Sequence, residues 1–179
     1  MFNFRQALID ACIAPTDINE HLPLFNILAK NCTHVTEFGV RFGTSSLAWL
    51  NNDVILRAYD IKAYPEAVTL FEHAEKAGKD AKLIIASTID IETIEETDLL
   101  FIDSKHSYDQ CKKELRFAPL VRKYILFHDT VSFGHCGEDG DPGLLPAISE
   151  FLQANQEWII LDHRLNCHGL MVLTRRDIF

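Results

Sequence analysis

Four residues in the second half of the chain carry side chains that move protons or hold metal ions: Asp103, His106, His128 and Asp129. A histidine titrates near neutrality and suits a general base that takes a proton from a hydroxyl. The plainer readings are a helix-start His106 bonded to backbone and a packed strand-end His128. Asp103 and Asp129 suit a divalent metal such as magnesium, which would lower the pKa of an acceptor hydroxyl and orient it; His128 beside them departs from an all-oxygen set. Without an ion, a shared proton or a cationic His128 would offset the repulsion of two close carboxylates. A second set, His135-Cys136 and Cys167-His168, offers zinc-type ligands without the usual zinc spacing, so loop residues at a pocket mouth fit better. The neighbouring Glu138-Asp139-Gly140-Asp141 reads as a mobile loop able to act as a lid.

A further chemical signal lies upstream. Glu37-Phe38-Gly39-Val40-Arg41-Phe42-Gly43-Thr44-Ser45-Ser46 puts two glycines four apart between an apolar run and an amphipathic one. Such a turn lets backbone approach a ligand closely, and the helix N–H groups at Thr44 to Ser46 can face an anion. Glu37 could accept a bond from a ligand ammonium or help fix the loop. Asp60, 23 residues after Glu37, could accept both hydroxyls of a ribose or cap the next segment.

The elements that must position these residues alternate. Apolar runs at His34–Phe38, Val54–Asp60, Lys82–Ala86, Leu99–Asp103 and Tyr124–Phe127 read as strands covered on both faces. Helices are predicted over Leu22–Asn31, Ser45–Asn51, Pro65–Ala77, Ser107–Leu120 and Pro146–Ala154. Trp158–Leu161 and Leu170–Leu173 are separated by too few residues for a helix and should pair antiparallel. The pattern predicts an α/β, Rossmann-like doubly wound sheet of five parallel strands plus an antiparallel terminal pair. Length suggests one domain over residues 1–179: an N-terminal helical segment at 1–33, then the Rossmann-like core at 34–179. In such sheets ligands bind beyond the carboxyl ends of the strands, where Gly39, Asp60, Asp103 and His128-Asp129 all fall.

Composition narrows the function classes. Seventeen basic against 26 acidic residues give a net charge of −9, which argues against a generic nucleic-acid grip. No stretch approaches a membrane span, and Met1–Ala14 lacks the apolar core of a secretory signal. Five cysteines at irregular spacing fit reduced thiols in a cytoplasmic protein.

Glu37-x-Gly39-x-x-x-Gly43 followed by Asp60 resembles the class I S-adenosylmethionine-dependent methyltransferases. Their usual E-x-G-x-G-x-G has a middle glycine where this chain has Arg41, a departure shared by a subgroup written E-x-G-V-x-x-G-x-S. Phe101-Ile102-Asp103-Ser104-Lys105-His106-Ser107-Tyr108 is similar to that subgroup's I-D-G-x-H-x-Y, with Ser104 for its glycine. Phe127-His128-Asp129-Thr130, Pro142-Gly143, Ala147-Ile148-x-Glu150-Phe151 and the Asn166–Leu170 turn look like its later segments. The likeness runs from about Val35 to Arg175.

The resemblance implies strand order 3-2-1-4-5-7-6 and S-adenosylmethionine as cofactor. Glu37, Gly39 and Gly43, with Ser45 at the helix start, would line its methionine part. Asp60 would hold the ribose, and Ile61, Ser87 and Thr88 would lie near the adenine. Some relatives bind magnesium through an Asp after strand four and a pair after strand five. A small-molecule hydroxyl, of sugar or natural-product type, is the expected acceptor. It would meet the N-terminal segment, Ser104–Tyr108 and the Phe133–Leu144 loop. The rival readings are a dinucleotide oxidoreductase, disfavoured by the missing G-x-G-x-x-G, and a non-catalytic cofactor-binding partner in an assembly.

Overall fold

Seven strands form one sheet in the order β3-β2-β1-β4-β5-β7-β6 in a computed structural model that describes residues 2–178. The strands are β1 His34–Phe38, β2 Ile55–Asp60, β3 Ala81–Ile85, β4 Thr97–Ile102, β5 Val121–His128, β6 Trp158–Arg164 and β7 Leu170–Arg175. The first five run parallel, and β7 is antiparallel to both its neighbours. Among the described residues, no helix is long and apolar enough to cross a membrane.

The apolar runs become central strands because successive side chains face opposite layers. On β4, Leu99 and Phe101 join the core beneath α1 Phe4–Ile13, α2 Leu22–Ala29, α3 Thr44–Leu50 and α4 Pro65–Lys76. Leu100 and Ile102 join the opposite core, covered by α5 Tyr108–Glu114 and α6 Leu144–Ala154. Phe101 meets Phe25 and Trp49, with ring centroids 5.0 and 5.8 Å away. The expectation of two covered faces fails at β3. It is an edge strand, and Ile85 remains half exposed.

The helix predicted over Ser107–Leu120 is α-helical only to Glu114, and Leu115–Leu120 tighten into a 3-10 turn. Pro119 explains the change: it has no N–H to donate, and its ring collides with the carbonyl four residues back. Helix α1 falls within the predicted N-terminal helical segment; Asn3 caps it, accepting from the Gln6 amide at 3.0 Å.

Strand order reverses about β1. The chain proceeds outward through β2 and β3, then returns to place β4 on the other side of β1. Phe38 pairs with Ile102, and Ile102 with Phe127, so β1, β4 and β5 end side by side. This is the switch point at which an open parallel sheet leaves a crevice.

The opposite end is held by Asp98, a buried carboxylate. Its Oδ2 accepts from the Thr33 amide (2.6 Å) and hydroxyl (2.8 Å), and its Oδ1 accepts from Arg122 Nε (3.0 Å). Burial raises the cost of its charge, but these donors outweigh that and hold its pKa below the usual carboxylate value. Asp98→Ala should therefore destabilise the fold by about 3 kcal/mol in urea unfolding, since buried donors lose their partner. A loss below about 1 kcal/mol would show that water replaces the carboxylate freely.

Candidate active site

The floor of the crevice is the turn between β1 and α3. Gly39 has φ +86°, and a Cβ there would stand 1.9 Å from the Asp103 carbonyl oxygen. Only a hydrogen fits, so the ends of β1 and β4 close on each other; the Asp103 amide donates to the Phe38 carbonyl at 2.8 Å. Gly43, at φ +81°, has Leu70 against it, 2.9 Å from where a Cβ would be. Arg41, at the position where the resemblance has a glycine, also adopts a left-handed conformation, φ +49°, and pairs with Asp17 at 2.8 Å.

Two carboxylates shape this turn. Both oxygens of the fully buried Glu37 accept from hydroxyls, Ser45 at 2.5 Å and Ser46 at 2.6 Å. Asp60 Oδ2 accepts from the amides of Val40 (2.9 Å) and Arg41 (2.8 Å), and its Oδ1 from that of Lys62 (2.9 Å).

Above the turn lies a cavity of about 580 Å³. Its lining brings together Gly39, Asp60, Ile61, Ser87 and Thr88 with Asp103, His106, His128 and Asp129. Glu37, Gly43 and Ser45, expected at the ligand, lie beneath that lining. Glu37 is on the α3 face of β1 and fixes the loop, one of the two roles its position allowed.

At one end of the cavity two carboxylates and two imidazoles alternate around a ring. Asp103 Oδ1 is 3.2 Å from His106 Nε2 and 3.2 Å from His128 Nδ1. Asp129 Oδ2 is 3.1 Å from His106 Nε2 and 3.3 Å from His128 Nδ1. Asp129 reaches inward because it adopts a left-handed conformation, φ +59°, directly after β5. That conformation is uncommon for a residue with a Cβ, though less so for Asp, and it occurs at functional sites.

The two histidines differ. His128 is only 2% exposed, and its Nε2 lies 3.0 Å from the Cys167 carbonyl oxygen, which can only accept. With Nδ1 between two carboxylates and Nε2 on a carbonyl, both nitrogens must donate, so the ring is an imidazolium. Burial opposes that charge, but Asp103 and Asp129 outweigh it and push its pKa up to about 10. The geometry thus departs from His128 as a general base: the ring is almost wholly buried, and its Nε2 is committed to a backbone carbonyl. His106 sits at the wall, stacked on Phe133 at 5.0 Å, with Nδ1 2.5 Å from Glu138 Oε1. Burial lowers its pKa, but Asp103, Asp129 and Glu138 more than reverse this. Burial likewise works against the Asp103 charge, and His106 and His128 overcome it, holding Asp103 well below the usual carboxylate range.

Among the described residues, the grouping of His, Cys, Asp or Glu able to converge on a metal is Asp103, His106 and Asp129, with ligand atoms within 4.8 Å of one another. The Cys/His pairs form no such set. His168 turns to the Ser132 hydroxyl, Cys167 faces the N-terminal segment, and Cys136 is exposed. Sequence reasoning missed Glu138 as a partner of His106 and Glu114 as a buried carboxylate behind the wall. The second had a signal: Glu114 falls beside Cys111 and Leu115 on the stripe that α5 buries.

No family model and no curated protein sequence matches the chain. Its structure is similar to that of a Podospora anserina methyltransferase with S-adenosylhomocysteine bound, with TM-score 0.66, 17% identity, and 96% of this chain and 88% of that one covered. The chain has the Rossmann-like methyltransferase fold. The N-methyltransferase NodS from Bradyrhizobium japonicum WM9, in complex with S-adenosylhomocysteine, is similar at TM-score 0.64 and 13% identity, covering 98% of this chain and 100% of that one. A Burkholderia thailandensis 1,6-didemethyltoxoflavin-N1-methyltransferase matches at TM-score 0.66 and 14% identity, over 89% and 78%.

Within this methyltransferase fold, Glu37 gives a pH signature. Burial, against the bonds from Ser45 and Ser46, raises its pKa from 4.5 to about 7. Below about pH 4 it is protonated folded or unfolded and adds no cost. As pH rises from about 4.5 to 7 the unfolded chain ionises first and stability falls; above that the cost is constant. Glu37→Gln escapes the cost, so its stability relative to the natural protein should improve by about 3 kcal/mol between pH 4.5 and 8. A difference that stays flat with pH would contradict this account of Glu37.

Proposed function

We propose that the protein transfers a methyl group from S-adenosylmethionine to a hydroxyl of a small molecule, of sugar or natural-product type. The observation that carries the reading is one cavity joining the Gly39 turn and Asp60 to the Asp103–His106–Asp129 cluster at the switch point. Its volume is that of a small-molecule site. The similarity to methyltransferases holding S-adenosylhomocysteine supports the cofactor.

The residues present fit that cofactor. The Gly39 turn offers backbone close to the cavity, and Asp60 is a carboxylate for ribose hydroxyls. Ile61, 79% exposed, offers an apolar face beside Ser87 and Thr88 for the base. When bound, S-adenosylmethionine supplies a methyl group on a sulfonium, which passes to the acceptor oxygen as a neutral thioether is left. The chain's part is to position the acceptor in line and remove its proton. His106 also has both nitrogens on carboxylates, but it stands at the cavity wall and is more exposed than His128, so it takes that proton on Nε2 after losing its own as pH rises. Asp103 and Asp129 orient its ring, and Glu138 holds Nδ1. His128 keeps the two aspartates together as their fixed counter-cation.

A divalent ion held by Asp103, His106 and Asp129 is a second reading, favoured by the convergence of their ligand atoms. Such a mixed nitrogen and oxygen set suits manganese or iron at least as well as magnesium, and it would lower the acceptor hydroxyl's pKa.

Calorimetry should show S-adenosylhomocysteine binding and no NAD binding; the reverse would overturn the methyltransferase reading in favour of an oxidoreductase. Asp60→Ala should weaken that binding roughly 10- to 100-fold through lost bonds to ribose. After an acceptor screen, turnover that survives excess chelator and climbs as pH rises past neutrality supports His106 as base. Loss in chelator with recovery on added magnesium or manganese supports the ion.

A further inference from the structure

We propose that Glu114 sets the hydrogen-bond polarity of the cavity wall formed by Thr88, Ser104 and Gln110, making it a wall of acceptors that selects a ligand amine, the exocyclic 6-amino group of an adenine. The proposal rests on the reading that S-adenosylmethionine occupies the cavity, and it names what selects its base.

Glu114 is the last residue of α5 and has no exposed surface. Its Oε1 accepts three bonds: from the Thr88 hydroxyl at 2.5 Å, the Ser104 hydroxyl at 2.6 Å and Gln110 Nε2 at 2.8 Å. Gln110 Nε2 also lies 2.8 Å from Thr88 Oγ1. Thr88, Ser104 and Gln110 line the cavity; Glu114 stands behind them. They come from three places in the chain, the segments after β3 and β4 and helix α5, and converge on one oxygen.

Each of these three side chains can either donate or accept when free. Here the choice is made. The Thr88 and Ser104 protons must point at Glu114. The Gln110 amide must turn its nitrogen inward, because its oxygen would otherwise face the oxygens of Glu114 and Thr88. What remains for the cavity is the Gln110 carbonyl oxygen and lone pairs on the two hydroxyls, all acceptors. The polarity is the same in either protonation state. Burial pushes the Glu114 carboxyl up despite its three donors, and a proton would sit on Oε2, which is buried without a partner, leaving Oε1 an acceptor.

Thr88 follows β3, while Asp60 and Ile61 end β2. A nucleoside whose ribose is held by Asp60 therefore presents its base between Ile61 and this wall. A 6-amino group meets acceptors there, whereas a 6-oxo group meets them lone pair to lone pair. Sites built around a ligand's hydrogen-bonding group reject the mismatched analogue strongly, because buried polar groups are left unpaired. Glu114 touches no ligand itself; it is a positioning residue.

The test is the ratio of two affinities, which a merely structural role would not move. By calorimetry the natural protein should bind S-adenosylhomocysteine at least about 10-fold more tightly than S-inosylhomocysteine, in which the 6-amino group is replaced by oxygen. Glu114→Met, of similar size and without an acceptor, frees the three side chains to turn and should reduce the ratio to within about 3-fold. Glu114→Gln keeps an acceptor oxygen and should restore it. Should Glu114→Met fail to fold, Gln110→Leu, at the cavity face, should lower the ratio in its place. Equal binding of both nucleosides by the natural protein, or an undiminished ratio in the variants that fold, overturns the role of Glu114 and leaves the cofactor reading intact. Absence of binding to S-adenosylhomocysteine overturns that reading and this proposal with it.

Discussion

Asp103 and Asp129 are brought to one point by the ends of two neighbouring parallel strands, and like charges at that distance must be neutralised. Here the neutralisation comes from within the fold. His128, in line with the strand that carries Asp129, bridges both carboxylates with Nδ1 and anchors its far nitrogen on the β6–β7 turn through the Cys167 carbonyl. The turn itself is strained: Cys167 and His168 both have positive φ, at 43° and 66°. It ties the N-terminal segment to the site, with Asn166 donating to Glu20 at 2.5 Å. On the proposed mechanism His128 serves as a structural cation, and His106 is the imidazole at the cavity wall.

The same logic recurs below the cavity. Glu37, Asp60 and Glu114 are each carboxylates that collect donors from the loops around them. Glu37 pins the start of α3, Asp60 pins the backbone at Val40 and Arg41, and Glu114 pins three side chains of the wall. Loops at strand ends lack ladder bonds of their own, and a buried or half-buried carboxylate gives their amides and hydroxyls a common acceptor. The result is a site whose ligand-facing groups are oriented before a ligand arrives, which lowers the entropy lost on binding.

Much of this was legible in the sequence. Apolar runs separated by amphipathic ones gave the parallel sheet, and the short gap after Trp158–Leu161 gave the antiparallel pair. The ends of neighbouring strands place Asp103 near Asp129. Period-two alternation along β1 also puts Glu37 with Val35 on the α3 face, away from the cavity, which the motif alone obscures. Pro119 was the signal for the early end of α5, but the apolar stripe through Ala118 carries the predicted helix past it to Leu120. The bond between His106 and Glu138 was not legible, because 32 residues of intervening chain must fold before the two meet. The charge state of His128 was equally hidden: it depends on a carbonyl 39 residues away, supplied by a turn whose backbone conformation no side-chain pattern announces.

Ring-nitrogen NMR of His128 in the protein stripped of metal decides whether this side chain is the cation of the site. Two-bond proton–nitrogen correlations distinguish an imidazolium, with both nitrogens protonated, from either neutral tautomer. With its pKa near 10, His128 should show two protonated nitrogens throughout a titration from about pH 6 to about pH 9, as expected when two carboxylates hold the charge. A neutral tautomer at pH 7 would contradict the structural-cation role, return His128 to the role of base, and require a proton shared by Asp103 and Asp129.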